Sequence, residues 1–335
     1  MSASVVIVAY NSGPVLQRCL RSLLEEGGEH ELIVVNNGDR APEIEEARGL
    51  PGVRLLEPGE NLGYAAGSSF GASQAGQETL VFLNPDTTVA PGAVTALERA
   101  LDDESVAIAM ARLRLFDRPE SLNSSGCEIH ISGLAWSDGY GEPADSIDGR
   151  REITYANGSV LAIRTELFRR LGGFTPELFI YHEDLELGWR ARMQGYRIVL
   201  EPGADVFHDY DYSRHVRKNY FMERNRLIFV GSAYSLRLLL VVLPVLVAAE
   251  AGLLFVAWRQ GWLRDKLAGW AWCARNVGWL LRHRRRLQRE RTVPDRELAL
   301  RLTPRINPRM VPVPALVARA NPVVGAYWSL ARRLL

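Results

Sequence analysis

Cysteine is scarce in this 335-residue chain: Cys19, Cys127 and Cys273 are odd in number and far apart. They build no disulfide framework and no Cys-x-x-Cys metal site, which fits a reducing cytosol. No Gly-x-Gly-x-x-Gly follows the first apolar run, so a dinucleotide-binding dehydrogenase is not expected. That run, Val5 to Tyr10, is too short for a signal peptide and lacks a basic leader; it reads as a strand. Internal repeats and low-complexity segments are missing as well. Lysine is nearly so, since almost every basic residue is Arg.

A net charge of +1 conceals a strong asymmetry. Residues 259–335 hold 17 Arg or Lys against four Asp or Glu, a net of +13, which leaves residues 1–258 at −12. An acidic body with a basic tail implies a partner for the tail. An anionic membrane surface is one candidate and nucleic acid the competing one.

The first 110 residues alternate β-branched runs with amphipathic stretches. "SVVIVAY" (4–10) precedes a helix from Pro14 to Glu26, with Leu16, Leu20, Leu23 and Leu24 spaced for one face. "ELIVVNN" (31–37), "VRLLE" (53–57), "YAAGSSFGASQAG" (64–76), "TLVFLN" (79–84), "PGAVTALERAL" (91–101) and "SVAIAMA" (105–111) follow. This order predicts βαβ units and a mostly parallel sheet covered on both faces. Such sheets bind ligands beyond the carboxyl ends of their strands. Tyr10, Asn11, Asn36, Asn37, Asn61 and the triplet Asn84-Pro85-Asp86 fall there.

Residues 112–153 read as irregular and polar. Order returns with a strand in "ANGSVLAIR" (156–164), a short helix in "TELFRRLGGF" (165–174), and a helix in "HEDLELGWRARMQGYR" (182–197) ended by Gly195. A strand, "IVLEP" (198–202), and "ADVFHDYDYS" (204–213) close the globular part. From Leu227 the character changes. Leu238 to Trp258 is 21 residues with one charge, Glu250, and one proline, Pro244, long enough to cross a bilayer, although Arg237, Pro244 and Glu250 suit a re-entrant or in-plane helix equally well. Trp258, Trp262, Trp270, Trp272 and Trp279, interleaved with Arg and Lys, have the composition of a headgroup layer. "RHRRRLQRER" (282–291) adds six Arg. A soluble core helix followed by a solvated basic helix is the alternative. The expected division is 1–226 catalytic, 227–291 helical and membrane-associating, and 292–335 a basic tail.

Three places carry chemistry. Asp86, past a buried strand, is either a helix N-cap or turn residue, or a ligand to a divalent cation on a diphosphate. His182-Glu183-Asp184 with Glu186 opens a helix, where the helix dipole alone favours acids. Three acids in four positions also repel, and Asp184 is a candidate general base with Glu183 beside it. His208, near Asp209 and Asp211, is a structural imidazole or a further metal ligand.

The ordered set "NxGxAxG" (Asn61, Gly63, Ala65, Gly67), "LNPD" (83–86), "GGF…HEDLELGWRARMQGYR" and a following His resembles family 2 glycosyltransferases, in their rhamnosyltransferase-like bacterial branch, over about residues 3–230. The resemblance implies a GT-A-type α/β fold, a central mixed, mostly parallel sheet flanked by helices, with nucleotide on the N-terminal half and acceptor on the C-terminal half. It implies that Ala9, Tyr10, Asn11, Asn36, Asn37, Asn61, Gly63, Asn84 and Asp86 bind the donor, small Ala65, Ala66 and Gly67 permitting close approach. Asp86 and His208 would hold Mg²⁺ or Mn²⁺, while Asp184, assisted by Glu183, would deprotonate the acceptor. Asn36 stands where the family usually has Asp, and Thr175 where an Asp follows Gly-Gly-Phe. The implied activity is inverting transfer of a sugar, rhamnose by branch, from a nucleotide-diphosphate donor to a lipid-linked saccharide at the cytoplasmic face of the membrane. Transfer to a polyprenyl phosphate or a soluble glycan, and a catalytically silent nucleotide-sugar-binding scaffold, are the rival expectations.

Overall fold

The computed structural model describes residues 2–38, 41–209, 217–311 and 313–335; Asp211 lies outside them. The chain divides into two compact units. One spans residues 1–126, 139–191 and 196–211; the other spans 127–138, 192–195 and 212–335.

The N-terminal stretch of the first unit runs β1 (Ala3–Ala9), α1 (Pro14–Leu24), β2 (Glu31–Asn36), α2 (Pro42–Gly49), β3 (Val53–Leu56), α3 (Gly63–Ser73), β4 (Thr79–Leu83), β5 (Thr87–Val89), α4 (Ala93–Ala100), β6 (Val106–Leu115) and β7 (Leu122–Ser124). β8 (Cys127–His130) and β9 (Ala135–Ser137) belong to the second unit. The first then resumes with β10 (Arg151–Glu152), β11 (Val160–Arg164), α5 (Thr165–Leu171), α6 (Glu183–Met193) and β12 (Arg197–His208). Ten strands form one sheet along the order β10-β12-β6-β11-β4-β1-β2-β3, with β5 on β12 and β7 on β6.

β1 is buried at every residue and β2 at all but its first, as apolar strands covered on both faces must be. β3, β2, β1 and β4 run parallel, and so do β6 and β12. The other five pairings are antiparallel. The sheet is therefore mixed and mostly parallel, as expected: β1, β2, β3, β4, β6 and β12 share one direction, while β11 enters antiparallel between β4 and β6 and the short β5, β7 and β10 pair the same way. Small residues seat α3 on the sheet. A Cβ on Gly71 would lie 2.5 Å from Val6 Cγ1, and one on Gly67 would lie 3.2 Å from Val8 Cγ1. On α1, Leu16, Cys19, Leu20 and Leu23 face the core, while Leu24, expected with them, is exposed at the helix end.

The stretch 112–153 is more ordered than its composition indicates. β6 continues to Leu115 because Arg112 and Arg114, alternate residues on one face, both grip Asp205 of β12 (Nε–Oδ1 2.7 and 2.8 Å). β12 likewise passes the expected stop at Pro202, absorbing Pro202-Gly203 in a register shift between Glu201 and Asp205.

The second unit contains α7 (Lys218–Ala233), α8 (Leu236–Arg259), α9 (Leu263–Arg275), α10 (Val277–Glu290), α11 (Asp295–Leu298), β13 (Leu302–Thr303) and α12 (Ala315–Ala331). β13, β8 and β9 make a small sheet. The change of character at Leu227 falls inside α7. The apolar run becomes α8, capped by Ser235 Oγ accepting from Leu238 N (3.0 Å). Glu250, the one charge in that run, is held by cations from two other helices. It pairs with Arg226 of α7 and with Lys266 of α9 (Oε2–Nζ 3.0 Å). Glu223 of α7 completes the cluster, reaching Arg226 (3.0 Å) and Lys266 (2.6 Å). Burial raises the Glu223 carboxyl, but Arg226 and Lys266 outweigh it and hold the group below the usual carboxylate range.

Removing one partner of a buried ion pair costs more than the pair contributes. Glu223→Ala leaves two buried cations on one carboxylate and is expected to lower stability by about 3 kcal/mol. Glu250→Ala leaves Glu223 bridging both cations and is expected to cost roughly 1 kcal/mol. Urea unfolding of the two variants checks the order; equal losses would contradict it.

Candidate active site

Three segments remote in sequence meet beyond the carboxyl end of β4. β11 starts at Val160 opposite Leu83, which sets residues 157–159 beside 84–86. Asn84 N donates to Ser159 O (3.0 Å), and the Asn84 carbonyl accepts from Thr87 Oγ1 (2.7 Å), closing the Asn-Pro-Asp turn. β5 leaves that turn and pairs with the end of β12, matching Thr87 with His208. Asp209 N donates to Asp86 O (2.8 Å). Asp86 Oδ1 and His208 Nε2 thereby stand 3.3 Å apart, with the imidazole buried and the carboxylate partly open.

Asp86 is a turn residue and not a helix cap. The residues after it form β5, and α4 begins at Ala93 with Gly92 as its cap. Its Oδ1 is buried without a hydrogen bond among the described residues. A carboxylate oxygen facing an imidazole nitrogen is a donor set that fits Mg²⁺ or Mn²⁺, and an orphaned buried oxygen is what a cation would satisfy. Among the described residues no third His, Cys, Asp or Glu joins them. Asn123 of β7 orients the imidazole from behind, its Oδ1 3.1 Å from His208 Nδ1, with Ser159 Oγ at 3.4 Å. Neither residue was foreseen. Asn123 sits in the polar stretch, where no periodicity marks it.

The acids of α6 separate into distinct environments. Glu186 is structural: it is buried, ion-paired to Arg190 (2.7 Å), and accepts from Thr175 Oγ1 (3.0 Å). Arg190 also donates to Gly173 O (2.6 Å), so Thr175 and Glu186 brace the Gly-Gly-Phe turn. Asp184 points elsewhere. Its Oδ2 accepts from Gly158 N (2.8 Å) and its Oδ1 from Leu185 N (2.7 Å). Burial pushes its carboxyl up to about 6, with those two amides pulling it back. Burial, and then the neighbouring Asp184 charge, push the Glu183 carboxyl well above its usual range. Two adjacent acids shielded from water cannot both ionise cheaply, and the push toward the neutral form falls on both, Glu183 being the more deeply buried. The backbone leading into α6 is strained: Phe179, Tyr181 and His182 have φ of 64°, 68° and 68°, a left-handed conformation uncommon outside glycine.

Gly158 and Ser159 link the two centres, Gly158 through Asp184 and Ser159 through His208. Tyr64 OH fixes this segment by donating to Gly158 O (2.9 Å). A Cβ on Gly158 would approach Asp184 Oδ2 to 3.2 Å, a tight fit.

The remaining expected residues line the same edge, at the ends of β1 and β2. Ala9 is buried and Tyr10 exposed, while Asn11 has φ of 48°. Asn37 N donates to Ala9 O (2.8 Å), and Asn37 Nδ2 to Gly63 O (2.8 Å). Gly63 N in turn donates to Asn61 Oδ1 (2.9 Å). Gly63 is left-handed, and a Cβ there would strike the Phe179 ring at 2.5 Å. Asn36 Oδ1 already accepts from Gly38 N (3.1 Å) in a tight turn. Cys19 lies beneath the corner with its thiol pushed up to about 12, chiefly by burial, and is inert.

A profile of the family described as Glycosyl transferase family 2 matches residues 4–172. The N-acetylglucosaminyl-diphospho-decaprenol L-rhamnosyltransferase of Mycobacterium tuberculosis is 30% identical over 236 residues, 61% of this chain and 75% of that protein. Rhamnosyltransferase WbbL of Escherichia coli is 22% identical over 237 residues, 66% of this chain and 88% of that protein. Among solved structures, GalNAc-T7 with UDP, GalNAc and Mn²⁺ superposes with a TM-score of 0.59 at 18% identity, over 69% of this chain and 48% of the other; at that identity the likeness concerns the fold. The ordered motifs, the mixed sheet and these matches agree: the chain belongs to glycosyl transferase family 2, in its rhamnosyltransferase-like branch, and is built on the GT-A fold.

Proposed function

We propose that this chain is an inverting, metal-dependent glycosyltransferase that moves a sugar, with rhamnose the leading candidate, from a nucleotide-diphosphate donor to a hydroxyl of a lipid-linked saccharide. The observation that carries the proposal is the Asp184 carboxylate, pushed up to about 6 and aimed by the Gly158 amide, in one corner with the Asp86–His208 pair. The rhamnosyltransferase names of two relatives support the sugar, and the diphospho-decaprenol in one of them supports the acceptor class.

Asp86 and His208 would hold Mg²⁺ or Mn²⁺, which when bound supplies charge neutralisation to the departing diphosphate. The chain's own groups do the rest. Asn37, Asn61 and Gly63 shape the nucleotide side, with Ala9, Tyr10, Asn11, Asn36 and Asn84 around it. Asn36 keeps a carbonyl lone pair for the base, without the charge assistance of an acid. Asp184 accepts the acceptor's hydroxyl proton. The acceptor oxygen then bonds to the anomeric carbon from the face opposite the leaving group, the carbon–phosphate oxygen bond breaks, and its electron pair leaves with the nucleoside diphosphate. Attack from that face inverts the configuration. Glu183, its carboxyl raised by burial and by Asp184, resists placing a second negative charge beside the base. A carboxylate tuned in this way counts against a silent scaffold. The basic tail and α8 would bring the enzyme to the cytoplasmic face of a membrane, where a lipid-linked acceptor is presented.

Asp184→Asn is expected to lower transfer by about a thousandfold while leaving donor affinity nearly unchanged in calorimetric titration. Turnover near the native rate would remove the base assignment. A base acts when deprotonated, so with its pKa raised to about 6 its active form is lost as pH falls through that value. kcat/KM should rise roughly tenfold per pH unit below 6 and level off above about 7. A profile flat from pH 5 to 7 would place the base elsewhere.

A further inference from the structure

α8, Leu236–Arg259, has the length and hydropathy of a membrane span. Its 24 residues would reach about 36 Å, more than a bilayer's hydrocarbon thickness. Its two sides differ along that whole length. Leu236, Leu240, Leu243, Val247, Phe255 and Trp258 are exposed and fall on one side of the helix. Leu238, Val241, Val242 and Val245 are buried on the other, and Glu250 is tied to Arg226 and Lys266. Tyr327 of α12 donates to Val241 O (2.5 Å), setting a second helix with exposed Leu316, Val323 and Leu330 beside the first.

A span would carry this protein-covered side into the hydrocarbon as well. Glu223, Arg226 and Lys266 would enter with it, against a high cost for buried ionic groups in lipid. A helix lying in the membrane plane avoids that: its exposed apolar side enters the acyl boundary and its ion-paired side stays with the protein. The occupant is marked by charge. Arg282, Arg285, Arg286 and Arg289 lie on one exposed face of α10 in the same unit. That basic stripe attracts anionic headgroups and repels a second copy of itself.

We infer that α8 is an in-plane anchor for an anionic lipid surface, clamped to its own unit through Glu250, and not a transmembrane span. This rests on the membrane association proposed above. The test uses the full-length chain on vesicles of phosphatidylcholine with and without phosphatidylglycerol, with a nitroxide placed in turn at Leu236→Cys, Val247→Cys and Trp258→Cys. The unsubstituted chain supplies the background from Cys273. Collision with oxygen and with a water-soluble nickel complex reads depth. The expected result is binding that requires phosphatidylglycerol, with all three labels at one shallow depth of about 5–10 Å. Val247→Asp is expected to weaken vesicle binding at least about tenfold, with thermal stability unchanged because the residue is already exposed. A label at 247 near the bilayer centre, with 236 and 258 in opposite leaflets, would make α8 a span and overturn the inference while leaving membrane association standing. No binding to either vesicle, or self-association that shields the three labels instead, would overturn both.

Discussion

The structure depends above all on main-chain pairing at the carboxyl end of β4. Asn84 N to Ser159 O and Asp209 N to Asp86 O bring residues about 75 and 120 positions downstream against the Asn-Pro-Asp turn. Because these are backbone bonds within one sheet, they fix the positions of Asp86, His208 and Gly158 without relying on flexible side chains. The antiparallel entry of β11 is the key step. A parallel strand there would present its carboxyl end, and Gly158-Ser159 would lie at the opposite edge.

Charge placement follows from that frame. Four acids occupy the corner and the first turn of α6, and each meets a different environment. Asp86 faces His208, Asp184 accepts amides, Glu183 is buried beside Asp184, and Glu186 is neutralised by Arg190. Only the first two combine a partly open carboxylate with a rigid backbone support, which is why the proposed chemistry falls to them. The second unit uses the same physics for another end. Arg226, Lys266, Glu223 and Glu250 are mutually compensated, so an otherwise apolar helix can carry a carboxylate on its protected side.

Much of this was legible in the sequence where period and punctuation agree. β1, β2 and β4 are continuous apolar runs ending in Tyr-Asn, Asn-Asn and Asn-Pro-Asp, so both the strands and the edge they share could be read. α6 was legible from its acidic start and Gly195, and β11 and α5 from their runs. β7 to β10 were not, because strands of two to four residues carry no period to detect. Asn123 was lost with them. The length of β12 was hidden by Pro202-Gly203, which punctuates the sequence without ending the strand. The mixed, mostly parallel expectation holds for six of the ten strands, and the antiparallel ones fall outside the βαβ alternation that governs the first half of the unit. Thr175, Glu186 and Arg190 form a brace that only the folded turn reveals, as residues 11 and 17 apart in sequence become hydrogen-bonded neighbours.

The central claim is that the corner formed by Asp86 and His208 binds a nucleotide-diphosphate donor through a divalent cation. Calorimetric titration of thymidine-, uridine- and guanosine-diphosphate sugars into the full-length chain, with Mn²⁺ and then with EDTA, tests it directly. The account predicts that one donor binds with Mn²⁺ present and fails to bind once the metal is chelated. Equal affinity under both conditions, or no binding by any donor, would contradict it.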